Sequence, residues 1–150
     1  MQIKETKPMN VLCFTQKTTL SEMMKYVRLV ANDLHRSAIE NKMEVTGPVY
    51  WVYDGADGQP ETVFTLSICI PVFHTSVYNG SFELRELPSF SCCFDIHSGS
   101  WSEMAGTYEK IIGEIVHSGH SMTGVTREVY INMDFETPEN NCTEIQIGIK

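Results

Sequence analysis

Thr19-Leu20-Ser21-Glu22-Met23 returns 81 positions later as Ser100-Trp101-Ser102-Glu103-Met104. Thr46-Gly47-Pro48-Val49-Tyr50 likewise returns as Thr126-Arg127-Glu128-Val129-Tyr130, a shift of 80, and each copy reaches an aspartate, Asp54 or Asp134, four residues on. Self-similarity on this scale is the mark of one supersecondary unit used twice. Each copy opens with a capping-box pattern, a hydroxyl three residues before a glutamate: Thr19 with Glu22, and Ser100 with Glu103. Behind the caps, Leu20, Met23, Met24, Val27, Val30, Ala31 and Leu34 keep helical spacing. Trp101, Met104, Ala105, Tyr108, Ile111, Ile112 and Ile115 repeat it. The spacing predicts two long amphipathic helices, over about 20–41 and 101–118.

The remaining segments alternate with period two. Phe64, Leu66, Ile68 and Ile70 form one apolar row, Phe90, Cys92, Phe94 and Ile96 another, and Ile145, Ile147 and Ile149 a third. Strands are expected at about 10–16, 48–54, 61–72, 85–97, 125–134 and 142–150, with the polar stretch His74 to Glu83 as the link between copies. The expected fold is α+β, a single domain of duplicated β-α-β-β units (about 10–73 and 84–150). An antiparallel sheet would carry the two helices on one face and a concave ligand cleft on the other.

Composition limits the function. The chain has 150 residues, 42% hydrophobic and 20% charged, which suits one domain with an ordinary core. Nineteen acidic against 11 basic side chains give a net charge of −8, and the longest basic cluster, Lys4 to Lys7, is broken by Glu5. A protein that grips phosphates needs a clustered cationic face, so no direct nucleic-acid binding is expected. Five cysteines, an odd number set largely in apolar runs, read as reduced thiols. No apolar signal core and no membrane-spanning stretch are seen, and the expected location is cytoplasmic, away from the membrane.

The candidate site comes from strand alternation. If Val129, Ile131 and Met133 face the helices, then Glu128, Tyr130 and Asn132 face the cleft, with Tyr50 matching Tyr130 in the first copy. Glu128 is the outlier, because the first copy has Pro48 there and the repeat itself demands no carboxylate. A glutamate walled by aromatics can hold a flat cation through charge and cation–π attraction, or act as a general base for water once burial raises its pKa. The plainer alternative is a carboxylate at a strand start, either exposed or paired with Arg127 or Arg85.

At this point the sequence resembles the GyrI-like small-molecule-binding domain. This is the bacterial effector-binding domain found at the C-terminus of AraC-type and MerR-type multidrug-sensing transcription activators and as stand-alone proteins. The resemblance rests on His97-Ser98-Gly99-Ser100-Trp101, on Glu128-Val129-Tyr130 and on the closing Thr143-Glu144-Ile145-Gln146-Ile147. It implies a cleft for amphipathic, often cationic molecules, with Glu128 as the central polar group and Tyr50, Trp101 and Tyr130 as candidate aromatic walls. Trp51 is a further candidate, but with Tyr50 toward the cleft it alternates to the helix side, which favours a core role. Trp101 also heads the helix stripe, where a core role is as natural.

Some members of the family hydrolyse strained cyclopropane-containing toxins, which would make Glu128 and Tyr130 catalytic here. The gyrase inhibitor of the family suggests instead a protein partner such as gyrase or a regulator. With no helix-turn-helix attached, the chain is expected to be a stand-alone module rather than a complete regulator. No cofactor is expected, and no metal either, since Cys92 and Cys93 point to opposite faces of a strand and no four-ligand spacing occurs. Cys93 and His97 lie about 13 Å apart on an extended strand, too far for a thiol to be activated by the imidazole.

Overall fold

The computed structural model describes residues 1–26, 29–74 and 76–150. Val27, placed on the helix stripe by its spacing, and Thr75, in the linking stretch, lie outside the described residues. The strand-helix-strand-strand succession occurs twice. In the first copy β2 (Met9–Thr18) leads to α1 (Leu29–Glu40), the two-residue β3 (Glu44–Val45), β4 (Val49–Asp54) and β5 (Phe64–Phe73). In the second, β7 (Phe90–Ser98) leads to α2 (Met104–His117), β8 (Met122–Asn132) and β9 (Cys142–Ile149). Two further strands, β1 (Gln2–Thr6) and β6 (Glu83–Leu87), precede the copies. The strand expected at 85–97 is divided by Pro88 and Ser89, where a proline cannot donate to the ladder.

All pairings are antiparallel, and the strand order is β1-β7-β9-β8-β4-β5-β2-β6, with β3 joined to β5. Two links force this sheet to curl. β6 ends the order and β7 stands second from the other end, yet only Pro88 and Ser89 join them. Lys7 and Pro8 similarly join β1 to β2. Each extended residue spans at most about 3.6 Å, so the two margins of the sheet must approach one another. The result is a half-barrel with an apolar bore of Val11, Cys13, Val52, Cys69 and Leu87.

The helices pack on the convex side. Leu34 and Ala38 of α1 sit over Leu12, Leu66, Ile68 and Ile70, while Ile111 and Ile115 of α2 sit over Cys93, Ile145, Ile147 and Ile149. α1 thus covers β2, β3 and β5, and α2 covers β7 and β9. Between them lie β8 and β4, paired at the middle of the sheet. The cleft opens there, between the helices and on the face they cover, whereas alternation alone had assigned it to the opposite face. Both faces of the curled sheet are buried, one under helices and one in the bore, so an apolar row does not tell which face meets a helix.

Both helices start later than expected. The first turns, Met23–Tyr26 and Trp101–Glu103, are 3-10 turns ahead of the α-helices. Ser100 Oγ accepts from the Ser102 N–H at 3.3 Å and so caps the short turn; Glu103, at the start of α2, makes no side-chain cap. Thr19 contributes its backbone carbonyl, which accepts from Met23 N–H at 3.0 Å, while its hydroxyl meets that of Ser21.

Candidate functional site

A cleft of about 1790 Å³ lies between the helices. Its floor is the helix-side row of the two central strands: Val49, Trp51 and Tyr53 from β4, and Thr126, Glu128 and Tyr130 from β8. The register explains why these residues share a face. Trp51 is opposite Glu128, Val49 opposite Tyr130 and Tyr53 opposite Thr126. Helix α2 adds Met104, Ala105, Tyr108 and Ile112 to one wall, and Leu20, Met23, Met24 and Ala31 form the other.

Glu128 is the polar centre of this floor and only 6% exposed. Tyr53 Oη donates to its Oε2 at 2.9 Å, Tyr108 Oη donates to Oε1 at 2.5 Å, and Tyr130 Oη also donates to Oε2. Three donors on one acceptor-only group suit the ionised form, whose two oxygens offer about four lone-pair sites, leaving one free. Burial pushes the Glu128 carboxyl above its ordinary range, against the opposing pull of the Tyr108, Tyr130 and Tyr53 hydroxyls. The same burial, with the carboxylate beside them, raises all three phenols well above the ordinary tyrosine value and keeps them protonated as donors. No cationic side chain pairs with Glu128 among the described residues. Arg127 and Arg85 both lie on the bore side, Arg127 over the Phe90 ring and Arg85 on Ser67 Oγ.

Aromatic rings continue the floor. Trp51 stands edge-on to Tyr130 at 6.0 Å, and Trp101 stands edge-on to Tyr130 at 5.8 Å and to Phe135 at 5.3 Å. Trp101 Nε1 donates to the buried Thr143 Oγ1 at 3.1 Å, which fixes the indole plane. The rim is acidic. Asp134 accepts from Thr137 N–H, Asn140 Nδ2 and Glu136 N–H, and Asp57 from Gln59 N–H and the Thr62 hydroxyl; these bonds hold both carboxyls below the usual range. Among the described lining residues are five acidic side chains, Asp57, Glu109, Glu128, Asp134 and Glu136, and no lysine or arginine.

Of the residues singled out in the sequence, Glu128, Tyr130 and Trp101 come together in the cleft, and so does Trp51, which alternation had assigned to the core. Tyr50 does not. It pairs with Val129 on the other face and packs in the bore with Val52 and Cys69, so the aromatic that β4 presents beside Glu128 is Trp51. Equating Tyr50 with Tyr130 made the two strands out of step by one residue, which inverts every face. Asn132 follows an irregularity in the β8–β9 ladder, is exposed, and donates to the Asn140 carbonyl at 2.8 Å, away from the cleft lining. Tyr53 and Tyr108 were missed. Their signal was present: Tyr53 is two residues from Trp51 on one strand face, and Tyr108 is a phenol within an apolar helix stripe, where its hydroxyl needs a buried partner.

His97 is buried and satisfied, its Nε2 donating to the Ser100 carbonyl at 2.8 Å and its Nδ1 meeting Thr107 Oγ1 at 2.9 Å. It ties β7 to the start of α2. Among the described residues no group of three or more His, Cys, Asp or Glu side chains is arranged to hold a metal ion. No described helix is long and apolar enough to cross a membrane.

The chain is thus an α+β fold in which a curled antiparallel sheet carries two helices that flank a central cleft. Residues 1–150 match the model of the GyrI-like small molecule binding domain, and the chain belongs to that family. No curated protein matches the sequence. Solved structures similar to the chain include EcmrR in a complex with DNA, with TM-score 0.82 and 17% identity over 99% of this chain and 56% of that one. SAV2435 bound to tetraphenylphosphonium has TM-score 0.62 and 11% identity over 99% and 93% of the two chains. A hydrolase encoded by lin2189 from Listeria innocua has TM-score 0.63 and 13% identity over 99% and 91%. The chain therefore spans little more than half of the EcmrR chain, and at these identities the likeness is one of fold.

Proposed function

We propose that the cleft binds amphipathic organic cations, with Glu128 as the fixed counter-charge and Trp51, Tyr130 and Trp101 as the aromatic surfaces on which the ligand rests. One observation carries this reading: a buried carboxylate held by three phenols and matched by no described cation. Such a group is costly to bury without a partner, and a cationic ligand supplies one. The acidic rim attracts the same ligands, and Met23, Met24, Met104, Met122 and Met133 give walls that adapt to different shapes. SAV2435, of like fold, is described with tetraphenylphosphonium bound, which makes that cation a suitable probe. The reading gives this domain no nucleic-acid contact of its own, since an acidic cleft repels phosphates.

Titration with tetraphenylphosphonium, followed by quenching of tryptophan fluorescence, tests the proposal. Glu128→Gln should weaken binding at least about tenfold, the loss that follows from about 1.5 kcal/mol for a contact to a charged group.

A second reading is hydrolysis of a strained electrophile, favoured by the burial that raises Glu128 toward the range of a general base. Tyr130 would then polarise the leaving group. The three phenol donors oppose that basicity, so binding is the leading reading. Mass analysis of electrophilic compounds after incubation separates the two: turnover that is lost in Glu128→Gln supports hydrolysis, and recovery of intact compound supports binding alone.

A further inference from the structure

The bore on the far side of the sheet holds a feature that small-molecule binding in the cleft does not use. Cys13 of β2 and Cys69 of β5 are directly opposite one another in the antiparallel ladder. They are 1% and 0% exposed and belong to the same apolar cluster, so both thiols are on the bore side of the sheet. Directly paired residues of an antiparallel ladder have Cα atoms about 4.5–5.5 Å apart, inside the roughly 4.4–6.8 Å that a disulfide spans. No other two of the five cysteines are so placed. Cys92 and Cys93 are consecutive on β7 and point to opposite faces; Cys92 is opposite Lys4 and Gly148, Cys93 opposite Ile3 and Ile147, and Cys142 opposite His97's neighbour Ser98 and Asn132.

The surroundings of the pair are also distinctive. Arg85 of β6, the outermost strand, is half-buried over β2 with its guanidinium on Ser67 Oγ at 2.9 Å, and its Nε has no partner. The Cys69 thiol as donor and the Arg85 charge together lower the Cys13 thiol below its ordinary value, while burial and the Cys13 sulfur raise Cys69. The Arg85 charge thus favours a thiolate within the pair, and the second sulfur stands in direct contact with the first. Cys92, by contrast, is pushed up to about 11 by burial.

We propose that Cys13 and Cys69 are an oxidative modification site that a hydroperoxide converts to a reversible cross-strand disulfide. In the first step the Cys13 thiolate sulfur attacks the peroxide, the O–O bond breaks, and Cys13 sulfenic acid and one water (or alcohol) form. In the second, the Cys69 sulfur attacks the Cys13 sulfur, the S–O bond breaks, and a second water leaves. Two thiols are oxidised by two electrons and one peroxide is reduced. A dithiol reductant restores the pair.

The test treats the intact protein with hydrogen peroxide, blocks the remaining thiols under denaturing conditions, and maps cross-links by mass spectrometry. The expected result is a loss of two of the five alkylatable thiols, a Cys13–Cys69 cross-link whose yield is independent of protein concentration, and full recovery after dithiothreitol. The variant with Cys92, Cys93 and Cys142 all replaced by serine should behave in the same way, and Cys69→Ser should stop at a mono-oxidised Cys13. Cys13 and Cys69 still alkylatable under peroxide that has oxidised Cys142, or a cross-link between any other pair, would overturn the proposal.

Discussion

Trp51 and Glu128 are opposite one another on adjacent antiparallel strands, and both side chains lie on the helix side of the sheet. This pairing makes the cleft floor half aromatic and half anionic. It also separates the floor from Tyr50, one residue away on the bore face.

Two substitutions distinguish the faces. Trp51→Leu removes the ring beside Tyr130 and should weaken tetraphenylphosphonium binding about 2- to 10-fold, from the roughly 0.5–1.5 kcal/mol that an aromatic contact contributes. Tyr50→Phe should leave the affinity within about twofold. Calorimetric titration of both variants checks the pair; a larger loss from Tyr50→Phe would place the ligand in the bore.

Glu128 also ties stability to pH. Its folded-state pKa lies above its ordinary value, so between the two values the folded chain holds the proton more tightly than the unfolded one. Stability conferred by protonation is therefore present below the unfolded value and is lost as pH rises through the folded one. Glu128→Gln lacks this loss. The melting temperature of the variant relative to the wild type should rise as pH increases across that window, and a difference independent of pH would contradict the assignment.

Tyr108 connects α2 to the cleft floor through its bond to Glu128 Oε1. Tyr108→Phe removes the largest of the influences that hold the carboxyl down. The Glu128 titration, followed by carboxyl carbon NMR, should move upward in this variant, and a downward movement would show that the Tyr108 hydroxyl does not favour the ionised carboxylate.

Gly148 lies where the sheet has no room. A Cβ there would meet Thr123 Oγ1 at 2.2 Å, Phe90 Cε2 at 2.7 Å and the Val125 carbonyl oxygen at 3.0 Å. The threonine can rotate away, but the ring and the backbone oxygen cannot both give. Gly148→Ala should destabilise by about 1–3 kcal/mol, the usual cost of overpacking, and thermal unfolding should shift downward by several degrees.

Much of the fold was legible because the duplicated hydrophobic patterns have the right periods. The rows Phe64, Leu66, Ile68, Ile70 and Ile145, Ile147, Ile149 both face helices as their apolarity suggests. The row with Cys92 and Phe94 does not: Cys93 and His97 face α2 instead. Period two identifies which residues share a face but not which face it is, and in a sheet buried on both sides apolarity cannot decide. The short strand β1 was hidden because Lys4 and Glu5 interrupt its apolar character at the margin of the sheet, and β6 was merged with β7 into one expected strand across Pro88 and Ser89. Glu128 could be singled out because the repeat did not require it. Local spacing marks its phenol partners Tyr53 and Tyr108 only as a ring on the Trp51 face and a phenol in an apolar stripe; that both reach Glu128 depends on how β4, β8 and α2 meet in space.

The most direct test of the central claim is the dissociation constant of tetraphenylphosphonium measured across a pH series for the wild type and Glu128→Gln. Asp57 and Asp134 are held below the usual carboxyl range, so they titrate at more acid pH and leave the Glu128 window clear of their own changes. If the ionised Glu128 is the counter-charge, wild-type affinity rises with pH through the elevated Glu128 pKa and then levels off, while the variant binds weakly with no such rise. Parallel profiles for the two proteins, or equal affinity above that pKa, would contradict it.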